Sequence, residues 1–275
     1  MAEALYGPEG YYTHGRNFTT TPPRDFTTAP ELTPLFGATV ANWVAARWQA
    51  LGAPNPFILA ELGPGRGRLM QALLTHLQAA HPACFAALQQ VVSIEVSPFL
   101  IQLQRETLQH FSSRCTWATT LTASAAPLIL VANEVLDALP AQPYRLTATG
   151  WEQLTVQDNT LHWEPCDQPT LPHGWQPDVG ASFDALPDLA TFLTTIHQHA
   201  SAALLLDYGS PTLPANSQST LQALQHHQRV DLLHEPGNTD LTVHINFAEV
   251  MHQLGPTQCT LTPLADFLLR HGLTD

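Results

Sequence analysis

Lysine is absent from this chain of 275 residues: all ten basic residues are arginine, set against 23 Asp and Glu, for a formal charge of −13. The arginines are scattered, so the chain lacks the basic stripe that displaces counterions from nucleic acid, and no nucleic-acid partner is expected. Such an acid excess suits a cationic partner such as an Arg- or Lys-rich peptide segment, or serves solubility alone. Cys84, Cys115, Cys166 and Cys259 form no CxxC pair and no disulfide-like framework. They predict reduced thiols and a cytoplasmic location. His197/His199 and His226/His227 have no HExxH-like context, so no metal site is expected. No charged segment leading into an apolar stretch opens the chain, and no long apolar run occurs, so neither a signal peptide nor a membrane span is expected.

What is present is enough apolar residue, 44%, to build a full core. Residues 1 to 33 are rich in Gly, Thr, Pro and aromatics without a sustained period, and read as a loop or cap. Pro30 opens a helix carried by Leu35, Val40, Trp43, Val44 and Trp48 to about Leu51. Phe57-Ile-Leu-Ala-Glu-Leu62, Gln90-Val-Val-Ser-Ile-Glu95, Cys115–Thr119, Leu128-Ile-Leu-Val-Ala132 and Ala202–Asp207 read as strands. Helices are expected at Arg68–Ala80, Pro98–Phe111, Asp188–His199, Asn246–Leu254 and Leu264–His271. This alternation predicts a doubly wound, Rossmann-like α/β sheet. Between Gln142 and Trp163 the β-formers and the turn signals Thr149-Gly150 and Asp158-Asn159 predict a small antiparallel insertion. Residues 165–187 look irregular, a long polar connection follows residue 207, and Cys259–Leu261 reads as a last strand. The expected layout is a cap and helix over 1–52, a core over 53–141 and 188–275, and an antiparallel substrate lobe over 142–187.

The first strand runs into Glu61-Leu-Gly-Pro-Gly-Arg-Gly67, a turn that opens a helix. Gly63, Gly65 and Gly67 let a cofactor approach the backbone N–H groups. A dinucleotide would bring a pyrophosphate to this end, where Glu61 would repel it. S-adenosylmethionine is cationic at its sulfonium and amine, so the same carboxylate favours it. Glu95 ends the second strand, where an acid accepts hydrogen bonds from ribose hydroxyls; it is equally placed to start the helix after Ser97-Pro98. Asn133 and Glu134 follow the fourth strand at the ligand-binding edge of such sheets. Glu134, with Asn133 and Asp137, is the candidate catalytic group, either binding a positively charged acceptor or acting as a base, and Asn133 is also a candidate cofactor contact. Capping a turn is the alternative for Glu134 and Asp137.

Together with Asp25-Phe-Thr-Thr-Ala-Pro-Glu-Leu-Thr-Pro-Leu-Phe-Gly37, Ala132-Asn-Glu-Val-Leu-Asp-Ala-Leu-Pro140, Leu206-Asp-Tyr-Gly209 and Pro236–Phe247, the glycine block resembles the MidA-type methyltransferases. The resemblance implies a class I methyltransferase core with an added substrate lobe. It implies S-adenosyl-L-methionine as cofactor and a protein substrate with an accessible arginine; in the mitochondrial branch this is a subunit of respiratory complex I. Within this picture Thr27, Thr28 and Glu31 serve the amino-acid end of the cofactor or cap the following helix. Asp207, Tyr208 and His244 line the acceptor pocket. The chain departs from the family at Arg24, where glycine is common. A non-catalytic assembly protein of the same fold and a nicotinamide-dependent oxidoreductase remain the rival readings.

Overall fold

Short apolar runs bounded by breakers make buried parallel strands, because both faces of such a strand are covered. A computed structural model describes residues 1–14, 18, 29–255 and 257–272 and bears this out. Four strands come first: β1 (Phe57–Leu62), β2 (Leu88–Ile94), β3 (Cys115–Ala118) and β4 (Leu128–Asn133). Then follow β5 (Gln142–Thr147), β6 (Gly150–Gln157), β7 (Thr160–Cys166), β8 (Ser182–Ala185) and β9 (Ala202–Leu206). Short strands close the series: β10 (Gly209–Ser210), β11 (Gln222–Gln225), β12 (Gln228–Val230), β13 (Asp240–Thr242) and β14 (Ile245–Asn246).

The chain divides into two compact units. The sheet unit comprises Thr13–Val135, Thr195–Leu206 and Thr262–Asp275; the lobe unit comprises Met1–Tyr12, Leu136–Thr194 and Asp207–Leu261. Charge divides with them. The lobe unit holds fifteen Asp and Glu against two Arg, and the sheet unit eight against eight, so the whole excess of acid lies in the lobe.

In the sheet unit the order is β3-β2-β1-β4-β9, all neighbours parallel. The helix Arg68–Ala80 presents Leu69, Met70, Leu73, Leu74 and Leu77 as its buried stripe, the spacing of one helical face. The helix Pro34–Ala50 adds Phe36, Val40, Trp43, Val44 and Trp48 to the same core. The single helix expected from Pro30 is two: Ala29–Leu32 and Pro34–Ala50. Pro34 disfavours helical geometry at the residue before it. Thr33 is accordingly extended, and its hydroxyl caps the second helix by accepting from the Leu35 N–H at 3.2 Å.

The lobe unit departs further from expectation. The predicted insertion is present as β5, β6 and β7, but the stretch expected to be irregular supplies β8, giving the antiparallel order β7-β6-β5-β8. Trp175, Ala181 and Phe183 form its small core with Tyr144 and Trp151, the Trp151 and Phe183 rings meeting edge-on at 6.1 Å. The supposed polar connection contains β10–β14, paired as β10-β14 and β12-β11-β13. Cys259–Leu261 forms no strand. Helices Ala2–Tyr6 and Tyr11–His14 stand where a loop was expected. The lobe unit is thus larger than 142–187: residues 1–12 and 207–261 group with it by contact rather than with a cap or core. Among the described residues no helix is long and apolar enough to cross a membrane.

Candidate active site

At the carboxyl end of the sheet unit, β1 delivers Glu61 in register with Ser93 of β2 and Val131 of β4. Glu61 is 2% exposed, and its Oε2 is buried with no hydrogen-bond partner among the described residues. The Ser93 hydroxyl, in register on the next strand, is buried and unpartnered too. Leaving a buried acceptor unmade costs roughly 1–3 kcal/mol, so this carboxylate oxygen calls for a partner that the described residues do not supply. Burial first, and the charge of Glu95 second, push the Glu61 carboxyl up to about 8.

The turn that follows has Gly63, Gly65 and Gly67 at φ of 57°, 52° and 78°, all in the left-handed region that glycine enters without strain. Among the described residues, a Cβ on Gly65 would meet no atom within 4 Å, so they leave the space over the turn open. Gly67 is the N-cap of the helix Arg68–Ala80, whose first N–H groups and positive dipole end attract carboxylate or other anionic groups. Glu31, expected near a cofactor, pairs with Arg66 of this turn at 3.7 Å, both side chains 11% exposed. Thr27 and Thr28 lie outside the described residues.

Glu95 follows β2 and is 6% exposed. Its Oε1 accepts from the N–H groups of Val96 and Ser97 at 2.8 and 2.9 Å, so it does start the next helix. Its Oε2 accepts from the Gln104 amide at 3.1 Å. Burial raises the Glu95 carboxyl, and these hydrogen bonds draw it back down. The residue that sequence reasoning missed is Gln104. It is fully buried on the helix Pro98–Thr107, and its Nε2 also donates to the Gly65 carbonyl at 2.8 Å. The only signal was a polar residue one turn after Leu100 on the inward face of an amphipathic helix.

β4 ends at Asn133, whose Nδ2 donates to Glu134 Oε1 at 3.4 Å. Glu134 has φ of 52°, a left-handed conformation rare outside glycine, held by its N–H donating to the Leu206 carbonyl at 2.8 Å.

The lobe unit holds the remaining predicted residues. Asp207 Oδ2 accepts from the N–H groups of Leu136 and Asp137 at 2.9 and 3.2 Å, and Oδ1 accepts from the Tyr208 N–H at 2.9 Å. Both of its oxygens are thus partnered by backbone N–H groups, which ties the turn after β9 to the segment after β4. Asp137 is 5% exposed; its carboxylate accepts from the Tyr208 hydroxyl, which itself accepts from Thr242. Burial raises both carboxyls, Asp207 further through the charge of Asp137. The Tyr208 and His244 rings meet edge-on at 5.4 Å on the exposed side. Gly209 completes Asp207-Tyr208-Gly209 because a Cβ there would fall 2.0 Å from the Ile245 carbonyl oxygen.

Residues 39–264 match a family described as "Putative S-adenosyl-L-methionine-dependent methyltransferase". The chain belongs to that family. It is 28% identical over 308 residues to protein arginine methyltransferase NDUFAF7, mitochondrial, of Danio rerio, covering 99% of this chain and 72% of that protein. The Drosophila melanogaster homolog, also named mitochondrial, is 28% identical over 290 residues, covering 92% of this chain and 64% of the relative. Among solved structures, a Burkholderia thailandensis protein crystallised with S-adenosyl-homocysteine superposes with a TM-score of 0.83 at 28% identity, over 98% of this chain and 75% of the other. The fold is that of a class I methyltransferase, the protein is a methyltransferase, and its cofactor is S-adenosyl-L-methionine. The unpartnered Glu61 carboxyl and the open space over Gly65 fit that group, since a carboxyl that ionises beside a cation suits its amine and a turn without side chains admits it closely. The oxidoreductase rival falls with this membership. The cytoplasmic location expected from the cysteines is corrected as well, because these relatives are named mitochondrial. Free thiols argue against an oxidising compartment and do not choose among reducing ones.

Proposed function

We propose that this methyltransferase acts on a guanidinium nitrogen of an arginine in a protein substrate, with Glu134 as the carboxylate that receives the guanidinium. The observation that carries the reading is the backbone of Glu134. A left-handed φ costs a non-glycine residue about 1–3 kcal/mol, and such strain clusters where a side chain must be aimed. The choice of arginine is supported by the relatives named protein arginine methyltransferases, matched over nearly the whole chain. It also agrees with a lobe whose fifteen acids face only two Arg, a composition suited to a cationic partner.

Bound S-adenosylmethionine supplies a methyl group on a sulfonium, whose departing sulfide needs no acid. The residues of the chain therefore contribute mainly position. Glu61 receives the amino group of the cofactor, with Ser93 beside it; Glu95 receives the ribose hydroxyls with the lone pairs that its backbone and Gln104 contacts leave. Gly63 and Gly67 donate their N–H groups to the Ile94 and Pro64 carbonyls at 3.1 and 2.8 Å and so hold the turn, which receives the cofactor over Gly65; Thr27 and Thr28 are assigned to its amino-acid end on sequence grounds. Glu31 acts through Arg66, holding the turn. Asn133 steadies Glu134, which orients the guanidinium by bidentate hydrogen bonds and disperses its charge as the proton leaves nitrogen. In the lobe, Tyr208 and His244 present exposed rings to the substrate protein. Asp137 aims Tyr208, and Asp207 holds the turn.

The test is transfer of labelled methyl from the cofactor to proteins of a host lysate, followed by identification of the modified residue. Label on arginine is expected, together with its loss in Glu134→Gln at unchanged S-adenosylhomocysteine affinity. Label on another residue type, or unaltered turnover in Glu134→Gln, overturns the assignment.

A further inference from the structure

The Gln104 side chain is 0% exposed, and its three hydrogen bonds join parts of the chain far apart in sequence. Oε1 accepts from the Trp117 indole N–H at 2.9 Å. An indole N–H can only donate, so this contact fixes which end of the amide is oxygen. The amide nitrogen must then face the other way, where it donates to the Gly65 carbonyl at 2.8 Å and to Glu95 Oε2 at 3.1 Å. The stem of the same side chain packs on the turn a second time: a Cβ on Gly67 would lie 3.5 Å from Gln104 Cγ. One amide therefore holds the glycine turn after β1 and the acid after β2. Backbone pairing between the two ends reaches only to Gly63, whose N–H donates to the Ile94 carbonyl at 3.1 Å, and the Gln104 amide carries the connection on to Gly65 and Glu95.

We propose that Gln104 is a positioning residue of the methyltransferase, setting the separation between the glycine turn and Glu95 so that a single ligand can engage both. This rests on the assignment of Glu61–Gly67 and Glu95 to the two ends of the cofactor. The ligand that needs the separation is one that bridges it, as S-adenosylhomocysteine does with its amino acid and its ribose. Adenosine, which has the ribose end alone, needs only Glu95, and Glu95 keeps its Val96 and Ser97 contacts without Gln104.

The test measures the affinity of both ligands by calorimetry in wild type, Gln104→Met and Trp117→Phe. Gln104→Met keeps the length of the side chain and removes the amide; Trp117→Phe keeps Gln104 and removes the donor that fixes its orientation. In Gln104→Met, S-adenosylhomocysteine affinity is expected to fall about tenfold or more and adenosine affinity no more than about threefold. Trp117→Phe is expected to show the same selectivity at smaller size. A merely structural role would weaken both ligands alike, in step with the loss of Tm, and that result overturns the proposal. So does unchanged affinity for both in Gln104→Met. Should that variant not fold, selective loss in Trp117→Phe supports the proposal, and equal or absent loss overturns it. If wild type binds adenosine but gains nothing from the amino-acid end, it is the assignment of Glu61–Gly67 that fails, a result distinct from either.

Discussion

Glu61 and Asp207 each follow or end a strand of the parallel sheet, one buried and the other half-buried, and their oxygens are in opposite conditions. Glu61 in the sheet unit keeps an oxygen that no described residue satisfies, beside an equally unpartnered Ser93 hydroxyl. Asp207 in the lobe unit has three backbone N–H groups on its two oxygens. Burial raises both carboxyls, so their titration alone does not separate them. Their hydrogen bonds do. An acid partnered on both oxygens supports the local backbone, and an acid with an unpartnered oxygen has room for a ligand.

The contrast can be broken in several ways. The largest effect is expected of Gly65→Val, on the ligand side. Among the described residues its Cβ meets no atom, so the chain should fold, at a cost of about 1–2 kcal/mol for the left-handed backbone. Occupation of the open space should lower S-adenosylhomocysteine affinity at least ~100-fold by calorimetry; normal affinity would put the cofactor elsewhere. Next is Asp207→Asn, on the structural side. An amide offers one acceptor oxygen to three donors and turns an NH2 toward them, so urea unfolding should show a loss of about 1–3 kcal/mol. No loss would mean that Asp207 is not the completed acid described above.

Glu61→Gln should behave in the reverse manner. Ligand-free stability should hold or rise near pH 8, because a buried charge has gone, while S-adenosylhomocysteine affinity drops by about tenfold. A stability loss without an affinity loss would move Glu61 into the class of Asp207. The smallest effect is in pH. The Glu61 carboxyl ordinarily titrates at 4.5 and is raised to about 8 in the folded protein, so between those values the folded chain holds a proton that the unfolded chain has released. Ligand-free stability should therefore fall as pH rises through this window and level off above 8. Affinity for a ligand bearing an ammonium should climb over the same window, by at most tenfold per pH unit near its steepest. Both slopes should disappear in Glu61→Gln, and a surviving slope would assign the proton to another group.

Much of the sheet unit was legible because its signals are local. An apolar run of six residues ending in an acid and a glycine turn specifies strand, edge and helix start within a dozen positions, and β1 to β4 and β9 lie close to where they were read. Gln104 was not legible, since its role depends on Gly65, Glu95 and Trp117 meeting around one amide. The backbone contacts of Asp207 were not legible either, since its partners Leu136 and Asp137 lie seventy residues upstream. The lobe was read as an insertion of 46 residues because β10 to β14 are two to four residues long and mostly polar, too short for a period of two to stand out. Glu31 was read toward the cofactor, and its pairing with Arg66 has no counterpart in spacing.

The division of the chain has a consequence for its history. The lobe unit is assembled from residues 1–12, 136–194 and 207–261, so the backbone passes from one unit to the other five times. Two of those passages fall at Val135–Leu136 and Leu206–Asp207, directly beyond the paired strands β4 and β9. No single cut, deletion or recombination event can remove the acidic half and leave the other continuous. A lineage carrying this gene therefore inherits the two units together.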